Sequence, residues 1–359
     1  MVNSNKCYMG YTLYITAPIL DDLLRKVFQK LLNKKLLNGR GRVNPTKGPN
    51  VERTGVMLNI DKPRARLSRT ERKGTLFSCL GEFLWYASGS SSLDFINYYI
   101  SIYDQFAEED GSIHGAYGPR IFGEPNGQLE RVISGLKANP ASRKAVIQIF
   151  DAADTEKSYK DVPCTCTMQF FVRSGRLDMV TYMRSNDAFK GLPHDVFAFT
   201  MIQELVARSL GVELGTYKHV VGSLHLYDED RDKAEEFLSE GWQSEVLMPE
   251  MPRGDPWPSL RMLLDAESDI RLGKVVGANL QEVDPYWADL IRILQIFNYT
   301  KDTQEHAKFA LITPLKQRMA SNIYSVYIDK REASHLDKMA HHTGPEQLEL
   351  LSVPVTEEK

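Results

Sequence analysis

Residues 161–195 read DVPCTCTMQFFVRSGRLDMVTYMRSNDAFKGLPHD. Within this stretch, 166–173 and 176–184 are two β-rich runs separated by Ser174-Gly175, the pattern of a hairpin. Cys164 stands just ahead of the first run, behind a proline. Arg184 ends the second, so the hairpin predicts that the two lie close together. A cysteine is a good nucleophile only as thiolate, which needs a nearby cation or hydrogen-bond donors. The competing reading makes Cys164 and Cys166 small buried apolar residues, the usual fate of free cysteines. A metal reading of Cys-x-Cys is weaker, because no second Cys/His pair has ligand spacing. Residues 184–195 gather a cation, a hydroxyl, acid and amide groups and a Gly-Leu-Pro turn, which fits either a polar ligand site or a solvated loop.

Outward from the hairpin, the apolar positions of 194–210 predict a buried helix that stops near Gly211. The run 218–227 reads as a strand, with His225 and Tyr227 on one face of it. Upstream, 75–88 has helical spacing with one acid, Glu82, and 93–107 continues as a second amphipathic helix. The run 143–150 is β-rich. The Gly/Pro/Asn-rich segment 40–55 reads as a loop or mobile segment. Downstream, 240–258 is loop-like, helical patterns cover about 285–299 and 303–335, and the tail from 343 frays. Irregular alternation of helices and strands around a hairpin predicts an α+β or mixed α/β fold.

Composition narrows the classes. The chain has 359 residues, 42% hydrophobic and 25% charged, as globular enzymes do. Its 44 basic and 47 acidic side chains give a net charge of −3, so no general attraction to nucleic acid is expected. No apolar run reaches the ~18 residues of a membrane span. The first residues read as no signal peptide. Cys7, Cys79, Cys164 and Cys166 are too few for a disulfide scaffold, which points to the reducing cytoplasm.

Taken in order, Pro163-Cys164, Tyr182-Met183-Arg184-Ser185-Asn186-Asp187, Gly191-Leu192-Pro193 and His225-Leu226-Tyr227 resemble the thymidylate synthase family. Arg53-Thr54-Gly55, Glu82-Phe83-Leu84-Trp85, Tyr117-Gly118 and Ser142-Arg143-Lys144 agree. The resemblance spans about 50–260. It implies a catalytic domain over 1–264 with one large mixed sheet flanked by helices, paired back to back with a second copy, and a mostly helical elaboration over 265–359. It also implies a mechanism. Cys164 adds to C6 of a pyrimidine, C5 becomes nucleophilic, and it attacks a one-carbon unit from 5,10-methylenetetrahydrofolate. Glu82 would order water and move protons, and Tyr117 would join the catalytic set. Arg53, Arg184 and Ser185 would hold the nucleotide phosphate, with Arg143 and Lys144 reaching over from the other subunit. The family has Arg-Arg there, and lysine supplies the charge without the bidentate geometry. His225 and Tyr227 would bond the sugar hydroxyl, while Ile102, Asp187 and Gly191 would line the folate pocket. No metal is implied.

Departures from the synthase pattern refine the reading. Synthases carry an asparagine after Gly-Leu-Pro-x that reads uracil; this chain has Asp195, as the deoxycytidylate hydroxymethylases do. A carboxylate can accept from the cytosine N4 amino group and, with N3 protonated, from N3–H also, but it faces uracil O4 acceptor to acceptor. The alternative for Asp195 is a helix N-cap. Thr165 replaces the histidine that follows the synthase cysteine. Tyr103 and Phe106 stand where synthases place two tryptophans, and residues 265–359 replace a short apolar C-terminus. Thr165 agrees with cytosine, while the changes at Tyr103, Phe106 and the C-terminal segment favour water over hydride as the final partner of the one-carbon unit. The expectation is therefore a homodimeric dCMP 5-hydroxymethylase. Its alternatives are reductive methylation of dCMP or dUMP, hydroxymethylation of CMP, or a non-catalytic nucleotide or RNA binder.

Overall fold

The computed structural model describes residues 13–37, 39, 41–45, 47–123, 127–277, 279–301 and 309–342. Cys7 and the tail from 343 lie outside them. The chain divides into two compact units, residues 1–256 and 257–359.

Among its described residues, the first unit is built on one sheet of seven strands. These are β1 (Leu13–Ala17), β2 (Arg42–Val43), β3 (Asn50–Ile60), β4 (Val146–Gln148), β5 (Thr165–Arg173), β6 (Arg176–Asp187) and β7 (Glu213–Tyr227). The order is β1-β3-β7-β6-β5-β4, with β2 added antiparallel to β3. β1 runs parallel to β3 and β6 parallel to β7, while the remaining pairs are antiparallel, so the sheet is mixed. The expected hairpin is β5–β6. Ser174 and Gly175 both have positive φ, 48° and 70°, as a two-residue type I′ turn requires.

The flanking helices of this unit are α1 (Leu20–Leu31), α2 (Lys34–Leu37), α3 (Leu76–Ala87), α4 (Leu93–Tyr99), α5 (Gly118–Phe122), α6 (Gln128–Ala138), α7 (Gly191–Leu210) and α8 (Arg231–Ser239). α7 is the central one. It is buried along almost its whole length and packs on β6, β7 and α3. Its apolar side chains, among them Val196, Phe197, Met201 and Leu205, are fully buried. Burying such a side chain contributes about 1.5–3 kcal/mol. A polar anchor crosses the same core: Arg66 and Glu204 form a fully buried ion pair, and Glu204 Oε1 also accepts from the Met251 amide at 3.0 Å. That bond ties the otherwise irregular stretch 240–256 to α7.

Several expectations are corrected. Within 40–55, Arg42–Val43 form the short strand β2, paired with Val51 and Asn50. From Asn50 on the chain is strand, held by pairing with β7 from Asn50↔Tyr227 to Thr54↔Ser223. The helix expected over 93–107 ends at Tyr99. Ile100 turns extended (φ −138°, ψ 93°), and 101–106 form a 3-10 turn instead. The helix expected from 194 begins at Gly191. Pro193 sits in its first turn, where its missing N–H leaves no bond unmade. Asp195 therefore lies inside α7 rather than at its cap, which removes the N-cap alternative.

The second unit is helical in its described residues. α9 spans Trp257–Arg271, and α10 spans Pro285–Tyr299 behind an Asp284 side chain that accepts from the Tyr286 amide. The pattern expected over 303–335 is broken. Residues 302–308 lie outside the described set, and Ile312–Gln317 and Ser325–His342 are separate helices. The Asp289 carboxylate accepts from the Ala320 and Ser321 amides, both at 2.9 Å. Among the described residues no helix is long and apolar enough to cross a membrane.

Candidate active site

Cys164 enters the site immediately ahead of β5. The backbone N–H of Arg184 donates to its carbonyl at 2.9 Å, which sets Arg184 directly across the hairpin. The Arg184 guanidinium then donates to the carbonyls of Val162 and Pro163, each at 2.9 Å, and approaches Cys164 Sγ to 3.7 Å. The hairpin thus explains the pairing that the sequence predicts. A register shift between Thr165 and Thr167 follows at once, a bulge of the kind common beside active sites. Burial pushes the Cys164 thiol up from its ordinary value. The Arg184 charge offsets part of this, and Asp161 and Asp195 add to it. Burial thus favours the protonated form of Cys164, and Arg184 is the nearby cation that works against it. Cys79, Cys164 and Cys166 are all free.

Tyr117 closes one side. Its hydroxyl accepts from the Thr165 amide at 3.2 Å, leaving the phenolic proton to be donated elsewhere. Burial raises its pKa well above 10, so it stays a neutral donor. Glu82 projects from α3 and is 7% exposed. Its Oε1 accepts from two phenols, Tyr86 at 3.0 Å and Tyr103 at 2.8 Å. Tyr103 thus supplies a polar hydroxyl from the 3-10 turn where the synthase pattern has an indole.

Asp195, 8% exposed, faces inward from α7. Burial first, then the Glu82 charge, push its carboxyl up from 3.8 to about 8. Its Oδ2 accepts from Asn186 Nδ2 at 2.6 Å. Behind Asn186 lie His219 and Tyr217 of β7. Neither was singled out by sequence, although their i, i+2 spacing on a strand is the same signal that picks out His225 and Tyr227. Tyr86 was missed as well, because an i, i+4 partner of Glu82 reads as core.

Of the remaining candidates, Tyr227 couples electrostatically to Asp187 and Cys164. The His225 and Tyr227 rings meet edge to face with centroids 5.0 Å apart. Burial lowers the His225 pKa. Asp187 pairs with His225 in register, and its Oδ1 accepts from the Phe189 and Lys190 amides at 2.8 and 3.0 Å, shaping the turn into α7. Ser185 is half-buried, two strand positions before Asp187. Arg53 is half-buried on β3, and its Nε has no bonded partner. Gly191 leaves room for Asn186: a Cβ there would stand 3.0 Å from Asn186 Nδ2. Ile102 is 50% exposed. Arg143 and Lys144 are exposed ahead of β4 and make no described contact with the Cys164 group. Among the described residues no cluster of three His, Cys, Asp or Glu could hold a metal ion.

A thiol, an acid, a phenol and a raised carboxyl that couple electrostatically to one another suit covalent addition to a ring followed by proton transfers. A family profile described as thymidylate synthase matches residues 26–251. Among solved structures, the thermostable thymidylate synthase A from Bacillus subtilis superposes with a TM-score of 0.53 at 22% identity, over 63% of this chain and 86% of that one. That likeness shows the same fold, one mixed sheet flanked by helices. With the profile match running through the whole Cys164 hairpin, α3 and α7, the chain belongs to the thymidylate synthase family, whose members carry out folate-dependent one-carbon transfer to pyrimidine nucleotides and work as dimers.

Proposed function

We propose that the protein is a deoxycytidylate 5-hydroxymethylase. The observation that carries this reading is Asp195: a buried carboxyl, held by Asn186 and pushed up to about 8, at the position where synthases read uracil with an amide. A neutral carboxylic acid is the complement of cytosine. Its O–H donates to N3 while its carbonyl oxygen accepts from the N4 amino group. The raised pKa means that Asp195 brings the proton this pairing needs. Uracil presents N3–H and O4 and needs the acid proton on the opposite oxygen; the Asn186 bond, which keeps Oδ2 an acceptor, leaves the proton on Oδ1 and so favours the cytosine pairing with Oδ1 at N3.

Arg53, Arg184 and Ser185 would bind the phosphate, with Arg143 and Lys144 of a second copy completing the grip. His225 and Tyr227 would meet the sugar hydroxyl. Cys164 loses its proton as Sγ bonds to C6, and the electron pair of the C5–C6 double bond makes C5 nucleophilic. Methylenetetrahydrofolate supplies the one-carbon unit at the oxidation level of formaldehyde. The exposed apolar side chain of Ile102 fits a flat ring, and Asp187 with the Gly191 turn offers polar partners for it. C5 bonds to that carbon as one of its two carbon–nitrogen bonds breaks; C5 then loses its proton as the second carbon–nitrogen bond breaks, which releases tetrahydrofolate and leaves an exocyclic methylene. Water held at Glu82 adds its oxygen to the exocyclic carbon, and Cys164 leaves C6. No hydride moves, so the folate product is tetrahydrofolate. The two phenols on Glu82 Oε1 favour this outcome, because they make the neighbourhood of Glu82 polar and fix its carboxylate for proton transfer.

The test is incubation with dCMP, CMP or dUMP and methylenetetrahydrofolate, with products identified by mass. A 5-hydroxymethyl product from dCMP with tetrahydrofolate release is expected. A methyl product with dihydrofolate would place the chain among the reducing enzymes. Asp195→Asn is expected to shift the ratio of tritium release from C5-labelled dCMP and dUMP toward dUMP by about 30-fold. An unchanged ratio removes the cytosine assignment.

A further inference from the structure

We propose that Tyr217, His219 and Asn186 form a buried positioning chain that fixes the orientation of the Asp195 carboxyl and so sets the choice of pyrimidine. This rests on the reading of Asp195 as the base-recognising group. The chain is continuous. Tyr217 OH lies 2.7 Å from His219 Nδ1, His219 Nε2 lies 3.2 Å from Asn186 Oδ1, and Asn186 Nδ2 donates to Asp195 Oδ2 at 2.6 Å. Tyr217 and His219 are 0% exposed and Asn186 is 4% exposed. Three polar side chains thus lie at the interface of β6, β7 and α7, where apolar packing alone would serve stability.

One arrangement of protons satisfies every link when Asn186 donates to Asp195. Asn186 Oδ1 must then accept, so His219 Nε2 carries its proton. Burial pushes the His219 pKa down to about 3, so the ring is neutral and Nδ1 is an acceptor. Tyr217 therefore donates to Nδ1. The order Tyr217 to His219 to Asn186 to Asp195 has a direction, and it ends by engaging Oδ2 alone. A carboxyl held by one oxygen on a rigid amide has its plane fixed, with Oδ1 and the second lone pair of Oδ2 left for the base. Gly191 is part of the arrangement, because a Cβ at that position would crowd Asn186 Nδ2 at 3.0 Å. These residues touch no substrate in this account; they act through Asp195.

The experiment measures the dCMP to dUMP ratio of tritium release, with kcat and KM separated, for Asn186→Ala, Tyr217→Phe, His219→Leu and His219→Gln beside Asp195→Asn. A chain that positions Asp195 predicts about a tenfold fall in the ratio for Asn186→Ala and for His219→Leu. It predicts near-parental behaviour for His219→Gln, whose amide N–H can replace the Nε2 proton. Tyr217→Phe removes one hydroxyl without changing ring volume, and its ratio is expected to fall about threefold. If Asp195→Asn shifts the ratio while Asn186→Ala and Tyr217→Phe, both folded, leave it unchanged, the positioning chain is wrong and the base assignment stands. If Asp195→Asn itself changes nothing, the base assignment fails and this inference falls with it. Equal losses for His219→Leu and His219→Gln would also overturn the chain, since a general packing role would not distinguish a retained donor.

Discussion

A carboxyl that titrates near 8 in the folded chain and near 3.8 unfolded ties stability to pH at one residue. Between those values the unfolded state has released the Asp195 proton and the native state has kept it, so native stability falls as pH rises through that window and levels off above about 8. Glu82 and Asp187 push the carboxyl up further, while Asn186 and His194 act against them. Asp195→Asn has no proton to lose. Melting curves at pH 5 and pH 8 should show the variant gaining stability relative to the parent at the higher pH. An equal difference at both values would mean that Asp195 titrates like an exposed acid. Cys164 gives a second residue-level expectation. Because burial outweighs Arg184, iodoacetamide alkylation of Cys164 in a Cys166→Ser background should rise only above the ordinary thiol range, with an apparent pKa over 9. A midpoint below 8 would restore a preformed thiolate. Cys164→Ser should abolish turnover and keep nucleotide binding.

At the scale of elements, the β5–β6 hairpin fixes the distance between Cys164 and Arg184, and its turn fixes the hairpin. Gly175 has φ 70° with open space around a would-be Cβ, so Gly175→Val tests backbone strain without a clash. Holding a β-branched residue there costs about 1–3 kcal/mol. Urea denaturation should report that loss, while kcat per folded molecule stays near the parent value. A loss of kcat with no loss of stability would mean that the register had slipped instead. This hairpin was legible because its turn signal is local. β3 was not legible over 50–55, because Asn50, Glu52, Arg53 and Thr54 carry no apolar alternation and are held by bonds to β7, far away in sequence. The end of α4 was missed for a similar reason. The apolar spacing over 93–107 continues, but the backbone at Ile100 does not.

For the molecule as a whole, the proposed role of the exposed Arg143 and Lys144 depends on a dimer of the kind in which the family works. Mixing Arg143→Ala with Cys164→Ser protein should restore activity. In each mixed dimer one site receives an intact cysteine and an intact partner arginine, so equal mixing predicts about a quarter of the wild-type rate. Absence of recovery after demonstrated subunit exchange would place both residues' role within one subunit or remove it.

The sequence by itself determined the family, the hairpin that pairs Cys164 with Arg184, the helices around Glu82 and Asp195, and the departure at Asp195. Each of these is written in short motifs and local periodicity. Only the tertiary structure decided that Asp195 lies inside α7 rather than capping it, that Tyr86 and Tyr103 converge on Glu82, and that burial outweighs the Arg184 charge at Cys164. It also decided that Tyr217, His219 and Asn186 line up behind Asp195. Those are properties of burial and of contacts between strands and helices distant in the chain. A pKa depends on how much water and which charges surround a group, and neither is encoded at the position of the group itself.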